Sequence, residues 1–229
     1  MTTRAIVVGA GGLGGPIALS LGAAGFELTI YDPDVVEASN LHRQIQFTAA
    51  DHDKPKALLL AGAVVARGGR ARGEVARWQP GDSDADLIVD GSDDPATKFA
   101  AADWAVTTGR PYVIASALRY GGNAMTGAPG FACYRCLFEE PAADAPTCAD
   151  AGVLGPVVGA IGGVAAALAI GLARGDRTHA GSIFVFEDLR ASAEPRIVRF
   201  APRRGCPTCT RAAISPFETP VRVAAQKGP

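Results

Sequence analysis

An excess of either charge is missing from this chain, which sets 22 Lys and Arg against 23 Asp and Glu in 229 residues. No basic run stands out either, so partners held by bulk field alone, nucleic acid and membrane surfaces among them, are not expected. Cysteine is scarce as well. Five of them, an odd number, do not make the disulfide framework of a secreted domain and fit a reducing, cytoplasmic setting. Internal repeats and low-complexity linkers are absent, and the chain is long enough to bury a core without staples. Charge vanishes altogether from Ala151 to Ala173, a stretch as long as a membrane span. Its Gly, Ala and Val content reads instead as a buried or interface helix. After Arg4 an apolar run imitates a signal peptide, but the five glycines from Gly9 to Gly15 fit a nucleotide loop and not a signal.

What is present begins with "RAIVVGAGGLGGPIALSLGAAGFELTIYD", a β-branched run, glycines, small apolar residues at helical spacing and a second strand. That is a βαβ unit, which needs a right-handed crossover and a parallel sheet. A helix from Lys56 to Arg67, a strand in "ADLIVDGSDD", a helix in "TKFAAADWAVTTG" and a strand in "PYVIASALRYGG" continue the pattern. Residues 1–121 are therefore a doubly wound, Rossmann-like α/β half. Beyond Gly121 come glycine, proline and cysteine, the uncharged helix, and short alternating strands in "SIFVFEDL" and "RIVRFAP". These read as an antiparallel extension, so that residues 1–214 make one mixed-sheet domain and 215–229 a loosely ordered tail.

Gly9-Ala10-Gly11-Gly12-Leu13-Gly14 is a G-x-G-x-x-G turn between strand and helix, with Asp32 closing the next strand. Glycines let a backbone approach phosphates at a helix N-terminus, and the carboxylate accepts from ribose hydroxyls. The commonest owner of that motif is a nicotinamide dehydrogenase. "DPDVVEASNLHRQ" separates the candidates, because Asn40, Arg43 and Gln44 serve a full triphosphate better than a dinucleotide. Lys56 adds a second cation, and Asp93 of "DGSDD" can hold magnesium against the phosphates.

Two Cys-x-x-Cys pairs, Cys133 with Cys136 and Cys206 with Cys209, supply the four thiolates of a closed tetrahedral zinc site. Four ligands leave no open position, so such a zinc is structural. Cys148 is left over. It is either a nucleophile or a small packed residue; a helix beginning near Val153 would lower a thiol's pKa.

Several of these segments occur together, in order, in one family. "VVGAGGLGGP", "SNLHRQIQFTAADHDKPK", "DGSDD", "CYRCLFEEP", "TCADAGVLGPVVGAIG" and "CPTC" resemble the ThiF/MoeB adenylating enzymes, relatives of the ubiquitin-activating enzymes, from about Arg4 to Cys209. The resemblance implies magnesium and ATP as cosubstrates and adenylation of the C-terminal glycine of a ubiquitin-like sulfur carrier. A persulfide donor then supplies sulfur for a thiocarboxylate. By position it implies that Gly11 and Asp32 meet the nucleotide and that Ser39, Asn40, Leu41 and Arg43 line it. Arg43 and Lys56 hold phosphates with Gln44 beside them, and Asp93 binds magnesium with Asp94 adjacent. Cys148 is the candidate for a covalent link to the carrier, residues 122–214 are the carrier-binding and zinc half, and the assembly is a homodimer.

Three departures from the family pattern go with it. No helix carrying an arginine for the partner subunit's ATP precedes the first strand, Asp94 stands where asparagine is usual, and no rhodanese domain follows Cys209. Sulfur is then expected from a separate protein. The alternatives are a catalytically impaired nucleotide- and zinc-binding partner subunit, or a relative activating a small molecule, peptide or transfer RNA.

Overall fold

The computed structural model describes residues 2–82, 84–140 and 152–209. Eight strands form one sheet: β1 (Arg4–Val8), β2 (Glu27–Tyr31), β3 (Arg70–Glu74), β4 (Leu87–Asp90), β5 (Tyr112–Leu118), β6 (Gly121–Gly127), β7 (Ser182–Phe186) and β8 (Arg196–Arg199). Their spatial order is β3-β2-β1-β4-β5-β6-β7-β8. From β3 to β5 the pairing is parallel, and from β5 to β8 it is antiparallel. The expected mixed sheet is thus present, with two strands the sequence did not announce. β3, "RARGE", is a polar edge strand, and β6, "GGNAMTG", lacks the β-branched run that marks a strand.

Successive residues of β1 feed two cores. Ala5 and Val7 face one side, with Ile17 and Leu21 of α1 (Gly14–Ala23), Leu60 and Val64 of α2 (Lys56–Val65), and Ile161 and Ala165 of α5 (Gly155–Ala173). Ile6 and Val8 face the other, with Phe99 and Trp104 of α3 (Pro95–Thr107) and Tyr134 of α4 (Tyr134–Leu137). From Ala5 onward β1, and all of β4, are buried on both faces, as central parallel strands between helical layers must be. α5 is long and apolar enough to cross a membrane. Its inner face lies on α1, β5 and β6. Gly162 permits that approach, since a Cβ there would stand 2.5 Å from Cγ of Pro16.

The parallel and antiparallel halves meet over a buried ion pair. Asp90, the last residue of β4, is fully buried, and Lys98 of α3 reaches it at 2.7 Å. The same ammonium donates to the carbonyl oxygens of Ser92 at 2.6 Å and Ala115 of β5 at 2.7 Å. Burial pushes the Asp90 carboxyl up, while Lys98 and the Ser92 hydroxyl hold it back. All three Lys98 donors are therefore used. Replacing Lys98 with Met strands a buried carboxylate and should cost about 3–5 kcal/mol, read as a fall in the urea midpoint. Adding Asp90→Asn to that variant should recover part of the loss.

Candidate nucleotide site and cysteine cluster

Register brings three strand ends level: Val8 of β1 pairs with Tyr31 of β2 and with Asp90 of β4. The residues that follow, Gly9, Asp32 and Gly91, therefore share one edge of the sheet, at the carboxyl ends of the strands where open α/β sheets bind ligands. β1 sits where the strand order reverses, and its turn carries the glycines. Gly9 has φ +89°, open to glycine at no cost. Gly14 allows the first turn of α1 to close on it, since a Cβ there would fall 1.8 Å from the Gly9 oxygen.

Asp32 does more than wait for a ribose. Its Oδ2 accepts from the Ala10 amide at 2.7 Å and its Oδ1 from the Asp34 amide at 2.8 Å, so the carboxylate also shapes the glycine loop. Burial pushes its pKa up, and the two amides draw it back. Each oxygen keeps a second lone pair for a hydroxyl. From the facing connection, Gln46 Nε2 donates to the carbonyls of Ala10 and Gly11 at 2.9 and 3.0 Å. The loop is thus tied on two sides before any ligand arrives.

A cleft of about 810 Å³ opens on this edge. Gly9, Gly11, Gly12, Asp32, Asn40, Arg43, Gln44, Lys56, Asp93 and Asp94 all line it. The other three expected residues stand off its wall. Gly14 is a packing glycine, Ser39 hydrogen-bonds Glu37 and Asn40, and Leu41 packs against the core. Gln44 is buried and donates to Asn40 at 3.1 Å, which fixes both amides in the wall.

The cations differ in what they have left to offer. Lys56 opens α2, nearly buried, and lies 3.3 Å from Asp34, whose carboxylate is largely exposed. Arg43 rests on the Ser39 carbonyl at 3.4 Å and the His42 ring at 2.7 Å, with no carboxylate partner among the described residues. Both can turn to an anion. The two acids of "DGSDD" also part ways. Asp94 caps α3, accepting from the Ala96 and Thr97 amides and from the Thr97 hydroxyl at 2.5 Å, and pairs with Arg77 at 3.0 Å. Partial burial would raise its pKa, but those hydrogen bonds and Arg77 hold it below the usual carboxylate value. Asp93 is exposed on the cleft wall, and among the described residues its carboxylate has no partner. It is the acid available to a hard cation.

The cleft continues into the antiparallel half, where Leu118, Gly122, Asn123, Val185 and Phe186 line it and Glu187 stands at the end. On the far side of α3 the four cysteines gather: all four Sγ atoms lie within 4.8 Å of one another. Cys133 is 3.8 Å from Cys136 and 3.6 Å from Cys206, and Cys136 is 3.5 Å from Cys209. Tetrahedral thiolates at the usual zinc–sulfur distance stand about 3.8 Å apart. The Arg203 amide donates to the Cys136 sulfur at 3.3 Å. Asp103 of α3 fastens both cysteine segments, accepting from Arg135 and from the Thr208 hydroxyl at 2.9 Å each. Cys148 and the tail 215–229 lie outside the described residues.

Sequence reasoning passed over Asp34, Gln46, Arg77 and Lys98. Only Lys98 carried a signal, being a lysine eight residues after an acid that ends a buried strand.

Comparison with known proteins agrees with this geometry. Over 222 residues the chain is 36% identical to a sulfur carrier protein adenylyltransferase of Thermus thermophilus, covering 89% of this chain and 81% of that one. It is 34% identical over 221 residues to the sulfur carrier protein ThiS adenylyltransferase of Escherichia coli, covering 91% and 86%. In fold it is similar to E. coli MccB solved with MccA-N7isoASN, at TM-score 0.78 and 18% identity, over 90% of this chain and 66% of that one. Residues 1–208 match the ThiF family, and the chain belongs to it.

Proposed function

We propose that this protein uses ATP to adenylate the C-terminal glycine carboxylate of a ubiquitin-like sulfur-carrier protein, releasing pyrophosphate. One observation carries the reading: a single cleft joins a glycine loop and two available cations to a mostly apolar channel in the antiparallel half that holds no cation among the described residues. The first part suits a triphosphate, and the second suits the extended, side-chain-poor tail of a carrier ending in Gly-Gly. Relatives 34–36% identical are named for this activity.

The chemistry asks little of acids and bases, because a carboxylate is already a nucleophile. Its oxygen attacks the α-phosphorus, and the bond to the bridging oxygen of pyrophosphate breaks. Amides of the glycine loop orient the phosphates, and Arg43 and Lys56 neutralise the charge that grows on the leaving group. Lys56 exchanges Asp34 for phosphate oxygens. Asp93 would hold magnesium, which supplies charge neutralisation at the phosphates when bound.

The same proposal gives the cysteine cluster a structural zinc, supported by the sulfur separations and by the Arg203 amide on Cys136. It gives the chain a second copy as partner. α5 exposes Pro156, Ala160 and Ala167, and Leu154 before it and Ile45, which is 79% exposed, are open as well. A row without charge or bulk on that scale is suited to close helix packing. Sulfur would arrive from a persulfide donor in the cytoplasm.

Exchange of labelled pyrophosphate into ATP should depend on a Gly-Gly-ended carrier, and absence of exchange with any such carrier would sink the assignment. Arg43→Ala and Lys56→Ala should each lower that exchange by roughly 10²–10³-fold, with folding checked by circular dichroism. Metal analysis should find one zinc per chain. Cys206→Ser should lose it and lower the melting midpoint by on the order of 10 °C.

A further inference from the structure

The strand order that places phosphates and ribose also places a base, and an ion pair lies across that position. Phosphates belong on the loop after β1 and ribose on Asp32 after β2. A nucleotide laid along β1 and β2 carries its base outward to the segment after β3. That segment, Ala76 to Trp78, lines the same cleft. Arg77 in it is more than half exposed, yet its Nη1 is held 3.0 Å from Oδ2 of Asp94. Asp94 follows β4, which lies on the other side of β1 and β2. The ends of β3 and β4 are three strand spacings apart, about 14 Å. Only a long side chain reaching toward a fixed acceptor can close such a gap.

The acceptor is fixed. Capping contacts from Ala96 and Thr97 pin the Asp94 carboxylate to α3. Beneath Arg77, Trp78 is buried edge-on against Trp104, with ring centroids 6.0 Å apart, so the backbone that carries Arg77 is anchored too. The Trp78 indole nitrogen has no acceptor among the described residues, which leaves a donor unspent in the wall of this end of the cleft. A guanidinium, planar and weakly hydrated, stacks on aromatic rings where an ammonium does not.

We propose that Arg77, braced by Asp94, is a roof over the nucleotide's base and raises its affinity. The inference rests on the nucleotide reading above and names a further binding residue within it. Arg77 touches no phosphate in this arrangement.

The test separates base from phosphate. ATP and inorganic tripolyphosphate are titrated calorimetrically, without added magnesium, into the full chain and its variants. Arg77→Ala should weaken ATP roughly 3–30-fold and leave tripolyphosphate unchanged. Arg77→Lys should recover little of the loss. Asp94→Asn, which keeps the helix cap, should give a smaller loss of ATP alone. Equal weakening of ATP and tripolyphosphate would make Arg77 a phosphate cation and overturn the roof, as would unchanged ATP affinity in Arg77→Ala. If the unaltered chain bound ATP no better than tripolyphosphate, the nucleotide reading itself would fall. A normal melting profile of each variant confirms that the exposed substitution leaves the fold intact.

Discussion

The buried contact between Lys98 and Asp90 is the constraint on which the rest depends. It joins the last residue of β4, the acidic loop beyond it, the third helix and β5, so it fixes the seam where parallel pairing gives way to antiparallel. A charged pair at that depth is costly to desolvate and is tolerated because every donor of the ammonium finds an oxygen. Its yield is geometric. Asp93 and Asp94 follow on a loop that can no longer drift, and they face the glycine loop across the level strand ends.

Much of this was legible before any coordinates. The βαβ unit declares itself because a buried parallel strand must be a continuous apolar run and its following turn must be glycine. The Cys-x-x-Cys pairs declare themselves because metal chemistry fixes ligand type and number, and their separation in sequence does not matter. β3 and β6 were hidden for opposite reasons. β3 is an edge strand whose inward residues, Ala71 and Gly73, are small and set between charged ones, and β6 runs so close to its neighbours that glycines break up its apolar pattern around the buried Met125: a Cβ on Gly122 would stand 2.5 Å from the Ser116 oxygen.

The candidate site divides along the same line. Residues whose role follows from chemistry, Arg43, Lys56, Asp32 and Asp93, could be picked from motif and spacing. Those whose role follows from what they touch could not. Gln46 looks like any loop glutamine until its amide is seen holding the carbonyls of Ala10 and Gly11. Arg77 looks like a solvent-facing charge, and Asp94 like a second metal ligand. Ser39 and Leu41 sit inside a strong motif yet off the cleft wall, because a run of motif residues in a 3₁₀ turn points in several directions at once.

The mixed sheet is itself the link between nucleotide binding and adenylyl transfer. A wholly parallel, doubly wound sheet would continue with another crossover helix after β5, packed on one face of the sheet. Turning back at Arg119 and Tyr120 into β6 carries the cleft on past Gly122 and Asn123. The cations that line the cleft all belong to the nucleotide-binding half, leaving the extension with Asn123, Glu140 and Glu187 among mostly apolar neighbours. Among the described residues, cations at one end and a mostly apolar channel without cations at the other define a direction. A chain terminus entering the channel meets the phosphates with its carboxylate first, and that orientation is what the reaction needs.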